Sequence, residues 1–371
     1  MIARKACLVA AAIALAAPAS ARADGQLSMR GVYYKEKATR IVQPMIDTRL
    51  DVGDNGILEG HVLIDAITSA SVAAGTAQGV FEEQRYELGL VYTHDLGVAR
   101  VGGGGRVSYE PDYMSTFGKL HADIDFADKN TVLGFDAAFG HDDVGRIVMG
   151  LDRTSTRMDV GTLTTYLGAV TLTQILSPNA IAHLTYDVTS LKGDQANPYR
   201  LVDSLKPGPD GIPIQITEPE THPDERLRQA IAGQLRYFIE PTETTLVAGY
   251  RYYLDDWGLR AHTPDVRVIQ QAGDSIDLTL RYRFHFQTAA DFYRPSYPSL
   301  DGLEYYTRDA KLSRLTTHTI EFRVGTLLGA LGVPGNLADA RAEVIVEYIA
   351  QSSSFGNAGV AHVALTVPFE Y

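Results

Sequence analysis

Residues Ile276–Gln287 read IDLTLRYRFHFQ, and a single alternation runs through all of them. Ile276, Leu278, Leu280, Tyr282, Phe284 and Phe286 take the even positions, and Asp277, Thr279, Arg281, Arg283, His285 and Gln287 the odd ones. Successive side chains of a strand point to opposite faces, whereas a helical period would scatter both sets around a cylinder. The segment is therefore predicted to be a strand with one wholly apolar face and one charged face. A soluble sandwich can house such a strand, with its polar face in water. A membrane barrel can too, with the apolar face in lipid. Repetition, length and punctuation along the chain decide between them.

The pattern recurs from one end of the chain to the other. Candidate strands are Leu27–Tyr34, Val42–Val52, Leu58–Ala66, Tyr86–Thr93, Ala99–Tyr109, Thr116–Phe126, Thr131–Gly140 and Thr162–Leu176. They continue with Ala180–Leu191, Leu227–Ile239, Leu246–Leu254, the less regular Arg260–Gln270 carrying Pro264, Ile276–Gln287, Thr316–Leu328, Ala342–Gln351 and Ala361–Tyr371. Tight connections rich in turn residues (GDNG, HDLG, ADKN, SPN, EPTE, AGD) alternate with longer ones: Ser69–Gly79, Asp142–Met158, the Pro/Gly/Asp-rich Lys192–Asp224 and Ala289–Ser313. Short turns at one end and long loops at the other are the asymmetry of an outer-membrane barrel, and an even strand count returns both termini to the short-turn side. Every backbone group in lipid must be paired, which a closed sheet achieves without an edge. The expected fold is all-β, a closed antiparallel transmembrane barrel of about sixteen strands, in the range fourteen to sixteen. The stretch GALGVPGNLADAR is long for a tight turn and is expected to form a short helical or apolar plug at the rim.

The chain opens with Arg4 and Lys5, an apolar run Ala6–Ala17 and the small-residue ending Ala21-Arg22-Ala23, the parts of a secretory signal peptide cleaved before Asp24. Residues 1–23 are thus expected to leave, and 24–371 to form one barrel domain. The only cysteine, Cys7, lies in that leader without the flanking residues of a lipid-anchored one, so disulfide, thiolate and cysteine-metal chemistry are excluded together. The formal net charge is −12 and becomes more negative when Arg4, Lys5 and Arg22 leave, which speaks against nucleic acid as a partner. Beyond the leader no apolar run approaches the ~18 residues of a membrane helix.

Five stretches resemble a family of uncharacterised bacterial outer-membrane proteins, domain of unknown function thirty-five seventy. They are IDAITSAS (Ile64–Ser71), TLTQILSPN (Thr171–Asn179), GDQANPYRLV (Gly193–Val202), RYYLDDWGLRAHT (Arg251–Thr263) and RFHFQTAADFY (Arg283–Tyr293). Thr68 stands where the family pattern has glycine. The resemblance implies a signal-bearing barrel in the outer membrane and assigns no activity.

Candidate chemistry gathers around the turn after Leu254. Arg251, Asp255, Asp256, Trp257 and His262, with Arg281, Arg283 and His285 of the neighbouring polar face, form the densest polar and aromatic group. Two readings stand: a site for a solute or ion, or a salt-bridge ladder that neutralises inward charge and fixes register. Gly102–Gly105 lacks the GK[ST] and following helix of a phosphate loop and reads as a bent strand in close backbone contact. No H-E-x-x-H is present, and Asp142, Asp143 and Asp152 lack the order of a calcium loop. No serine lies in G-x-S-x-G, and Ser108 and His121 share neighbouring strands by composition alone. No catalytic residue, metal or cofactor is expected. The expected partners are outer-membrane lipid, the barrel-assembly machinery and a small solute or ion. The expected role is a pore or secretion channel with a mixed-charge lumen; the alternatives are a loop-plugged scaffold that binds a partner and, more remotely, a surface hydrolase. Oligomeric state is left open.

Overall fold

A computed structural model describes residues 24–37, 39–70, 80–150, 154–208, 210 and 212–370. The expected leader 1–23, residues 71–79 of the Ser69–Gly79 loop, Asp152 and Tyr371 lie outside the described residues. Sixteen strands form the wall. They are β1 (Asp24–Lys35), β2 (Thr39–Val52), β3 (Gly56–Ala70), β4 (Val80–Asp95), β5 (Ala99–Tyr109), β6 (Tyr113–Phe126), β7 (Thr131–Met149), β8 (Ser155–Ser177) and β9 (Ala180–Gly193). After an inserted hairpin, β10 (Leu201–Pro207) and β11 (Pro213–Pro219), come β12 (Glu225–Ile239), β13 (Thr244–Asp255), β14 (Arg260–Gln271), β15 (Ile276–Gln287), β16 (Leu315–Leu327), β17 (Arg341–Gln351) and β18 (Ala358–Glu370). Each wall strand pairs antiparallel with its neighbours, and β1 closes on β18 from Asp24↔Glu370 to Lys35↔Gly359. No edge remains to be satisfied, as a sheet in lipid requires.

The alternation read in β15 is the alternation of the wall. Leu280 is 53% and Leu120 of β6 67% exposed. Leu88, Leu90, Phe135, Phe139, Val344, Val346 and Val363 stand out beside them around the barrel. A continuous apolar surface of this extent is unfavourable in water and matched to a lipid environment. Tyrosine–histidine pairs also stand on this outer face, toward the loop end. Tyr250 and His262 share a hydrogen bond of 2.5 Å and Tyr282 and His318 one of 2.8 Å, in the manner of an interfacial girdle.

The six tight turns read in the sequence lie at one end of the barrel with both ends of the wall, joined there by the longer connection 328–340, and the four long loops lie at the other. ADKN turns the chain with three successive left-handed residues, Ala127, Asp128 and Lys129. The glycine run of β5 is a closely approached strand, as expected: a Cβ at Gly104 would strike the Leu90 carbonyl and come within 2.7 Å of Val91 Cα. Pro264 has no N–H to give, and the β14–β15 pairing lapses at Thr263 and Pro264 before resuming at Asp265↔Arg283.

Three connections depart from expectation. Most of Asp142–Met158 is not a loop, because β7 and β8 run on as a paired ribbon past a register shift at Val144/Gly145. Lys192–Asp224 contains the β10–β11 hairpin. GALGVPGNLADAR forms the short helical structure expected, as two 3-10 turns, Leu328–Leu331 and Gly335–Leu337, but Leu331 and Leu337 stand exposed and are not packed as an apolar plug.

Candidate functional site

The long loops after β9 and β15 interlock over the loop end of the barrel. Thr221 bridges to Tyr306 and the Leu205 N–H donates to the Pro298 carbonyl, so the described residues of 194–224 and those of 288–314 fold as one cap, with Tyr293 bridging to Thr307 inside the second loop. At its centre Val202 and Thr307 are fully buried. Trp257, Leu259, Ala290 and Leu312 form a small apolar core that ties the β13–β14 turn to the cap, with Tyr253, Phe292 and Tyr293 against it. The cap reaches across the mouth. The Tyr199 hydroxyl accepts a hydrogen bond from the Ile147 N–H of β7 at 2.7 Å and donates one to Asp112, between β5 and β6. A cavity of about 510 Å3 is shared by cap residues such as Asn197 and Arg200 and by Thr39 and Ile67 on β2 and β3, across the barrel from β12.

The charges inside the cap are matched. Glu220, its side chain fully buried, accepts from the Thr307 hydroxyl at 2.6 Å and the Asn197 N–H at 2.9 Å, and lies 3.4 Å from Arg200. Arg200 in turn meets Asp309 at 2.5 Å. His222 Nε2 stands 3.5 Å from Glu220, within reach of a charge contact but without hydrogen-bond geometry. Burial alone would raise the Glu220 carboxyl; the His222 imidazole, the Arg200 guanidinium and the Thr307 hydroxyl outweigh it and hold the group below its ordinary value.

Below the cap, the polar face of β12–β16 carries a ladder. By register Arg267 of β14 sits directly opposite Arg281 of β15, a costly juxtaposition of like charges. Asp265 relieves it by meeting Arg281 at 2.6 Å with one oxygen and Arg267 at 3.3 Å with the other, and Glu321 of β16 meets Arg281 at 3.2 Å. One strand pair further round, Arg251 of β13 reaches Asp187 of β9 at 3.2 Å. Asp255 is fixed still more tightly. It accepts from Arg226 Nε at 2.9 Å, from the Tyr253 hydroxyl at 2.8 Å, and from the N–H groups of Trp257 and Leu259 at 3.1 and 2.9 Å.

The eight residues singled out in the sequence thus divide. Arg251, Trp257, Arg283 and His285 line one cavity of about 470 Å3 beneath the cap. Asp255 braces the rim of that cavity through Arg226, and Arg281 belongs to the ladder. His262 faces the other way, on the outer surface between Tyr250 and Tyr252, because it shares the even series of Val266 and Val268. Asp256 is exposed at the turn, where it accepts the Leu227 N–H at 3.0 Å. His285 Nδ1 and the Thr263 hydroxyl share a hydrogen bond of 2.8 Å, and Nε2 lies 3.3 Å from Gln287. The cavity also takes in Arg226, Arg228 and Lys311, which the sequence did not single out as site residues. Arg226 and Arg228 are readable on the polar side of β12; nothing local to the sequence places Lys311 over them. Ser108 and His121 do not meet: their register partners across the β5–β6 pair are Ser115 and Gly102.

On the opposite side a second cavity, about 680 Å3, is lined by β1–β6. Most of its charges are paired among the described residues, with Arg30 and Lys119 of its lining the exceptions. His61 contacts Asp47 at 2.5 Å and Glu87 at 3.8 Å, Arg106 contacts Glu87 at 3.5 Å, and Arg49 contacts Glu59 at 3.7 Å.

A family model described as "Protein of unknown function (DUF3570)" matches residues 73–362. No curated protein matches the chain. Among solved structures it is similar to a "Bacterial polysaccharide outer membrane secretin", with a TM-score of 0.52 at 7% identity over 93% of this chain and 98% of that one. It is similar to "CdiB from Acinetobacter baumannii", with a TM-score of 0.52 at 7% identity over 93% of this chain and 60% of that one. A BenF-like porin from Pseudomonas fluorescens Pf-5 overlaps 94% of this chain at 10% identity and a TM-score of 0.48. At such identities the likeness is one of fold: a bacterial outer-membrane β-barrel.

Proposed function

From the premise that the chain belongs to the outer-membrane family Protein of unknown function (DUF3570), which assigns no activity, we propose that it is a channel of the outer membrane. Small solutes pass along a lumen of mixed charge that the cap narrows at the loop end, with the turn end in the periplasm. The observation that carries this reading is the inner face itself. It bears ion pairs and two separate cavities, of about 680 and 470 Å3, where a solid barrel would bear a packed apolar layer. Sixteen strands leave room for such a lumen. The outer-membrane barrels that share its fold support the setting but not the cargo. The opposing reading, a plugged scaffold that holds a partner, draws on the interlocked cap with its fully buried Val202 and Thr307.

Single-channel recording in planar bilayers separates the two. Stepwise conductance from the intact protein is expected, rising when residues 201–219 are replaced by a short Gly-Ser linker. A folded barrel that is silent both with and without the hairpin would overturn the channel.

A further inference from the structure

The cavity beneath the cap holds an excess of one charge, and the excess has a structural cause. Register places Arg228 of β12 directly opposite Asp255 of β13, and Arg283 of β15 directly opposite Asp265 of β14. Neither arginine obtains its facing carboxylate. Asp255 is turned to Arg226 and to two backbone N–H groups, and Asp265 to Arg267 and Arg281. Among the described residues no carboxylate stands within ion-pair distance of Arg228, Arg283 or Lys311, all three of which line the cavity. The one acid in its lining, Asp309, is held by Arg200 of the cap. The wall neutralises Arg281, Arg341 and Arg100 with nearby acids, whereas Arg228, Arg283 and Lys311 share one cavity with no carboxylate partner. Opposite them the cavity wall is apolar: Trp257, Leu259, Ala261 and Leu312.

We propose that this cavity is a binding station for a small organic oxyanion, a carboxylate or phosphate carried on an apolar body. Arg228 and Arg283 grip the oxyanion, Lys311 closes over it from the cap, and the apolar wall receives the body. Guanidinium forks suit both planar and tetrahedral oxyanions, and the contacts are charge-assisted. Arg251, engaged by Asp187, tunes the field without being a primary ligand. The inference names the cargo of the channel proposed above, yet its test does not require conduction.

Trp257 is the only tryptophan of the chain and lies in the cavity wall, with Arg226 4.1 Å over its ring. Its fluorescence therefore reports binding in the intact, detergent-solubilised barrel. Titration with benzoate and with phenylphosphonate is expected to give a saturable spectral change for at least one, and benzylammonium none. Arg228→Gln and Arg283→Gln are each expected to weaken binding about tenfold or more, the range of a charge-assisted contact, and the double variant to abolish it. Arg341→Gln, which lies outside the cavity, leaves binding intact. Because the two glutamines relieve repulsion, both variants keep the heat-modifiable mobility of a folded barrel. Saturation by benzoate alone or phenylphosphonate alone identifies the oxyanion. A folded protein with no saturable response to either, an equal response to benzylammonium, or full binding by the folded double variant overturns the station. Binding by a barrel that never conducts would instead count against the channel and leave the station standing.

Discussion

Arg281 and Arg283 lie two residues apart on the same face of the same strand, and their surroundings could hardly differ more. Arg281 is clamped between Asp265 and Glu321 at 2.6 and 3.2 Å. Arg283 faces the same Asp265 across the ladder and makes no ion pair with it. A weaker form of the contrast separates the two cavities. In the one bounded by β1–β6, His61, Asp47, Glu87 and Arg106 satisfy one another, while Arg30 and Lys119 have no carboxylate partner among the described residues. Under the cap Arg228, Arg283 and Lys311 all lack one, and the only lining acid is held by Arg200. Alternation decides which face a charge occupies. Which charges become neutral is decided by diagonal contacts and by the backbone donors of a single turn.

That account is most exposed at Asp255. Asp255→Ala would strip the buried Arg226 of its carboxylate and leave the Trp257 and Leu259 N–H groups without an acceptor. Removing one partner of a buried pair costs about 3–5 kcal/mol. The expected outcome is a large fall in the urea midpoint of the folded band, partly recovered when Arg226→Met removes the stranded charge. If Asp255→Ala cost no more than an exposed pair, the idea that this carboxylate is committed to Arg226 and the turn would fail.

Asp265→Asn is a smaller perturbation of the same kind. Arg281 keeps Glu321, and the site is open enough for water to screen it, so a loss of about 1–2 kcal/mol is expected. The informative readout is the anion titration. With Asp265 uncharged, Arg267 loses its carboxylate partner, Arg281 keeps only Glu321, and the affinity for the oxyanion rises, whereas a purely structural ladder would leave it unchanged.

Much of this was legible in the chain. The parity of β15, the tight turns and the even strand count specify the closed wall and its two faces. His262 was also readable, since Val266 and Val268 fix the outward series to which it belongs. The cap was not. Residues 194–224 and 288–314 carry no periodicity, and their decisive contact, Thr307 to Glu220, joins positions 87 residues apart. Arg228 shows the same boundary at a finer scale. Its face follows from alternation, but its isolation depends on the turn of the chain at Asp256–Leu259, where two N–H groups claim Asp255.

Acid should act on the cap before it acts on the wall. Because the folded Glu220 carboxyl lies below its ordinary value, its contribution is fully present above the unfolded value and is lost as pH falls through the folded one. Loosening of residues 194–224 is therefore expected on the acid side of the usual carboxylate range, read as increased protease cleavage in the cap or increased conductance. Glu220→Gln removes the acid step and leaves the loosened level at neutral pH. An unaltered acid step in that variant would assign the titration elsewhere.

The smallest effect is expected where charges are paired yet fully wetted. Arg49 and Glu59 meet at 3.7 Å with half of each side chain exposed. An exposed pair contributes about 0–1 kcal/mol, so Arg49→Gln should leave the urea midpoint nearly unchanged and shift only the ion selectivity of the lumen, toward cations and most visibly at low salt. The comparison matters because Arg49 and Arg283 both line open cavities and differ chiefly in whether a carboxylate answers them. If Arg49→Gln weakened the anion titration as much as Arg283→Gln does, the binding would reflect the summed positive charge of the lumen and not the place where register leaves two arginines unanswered.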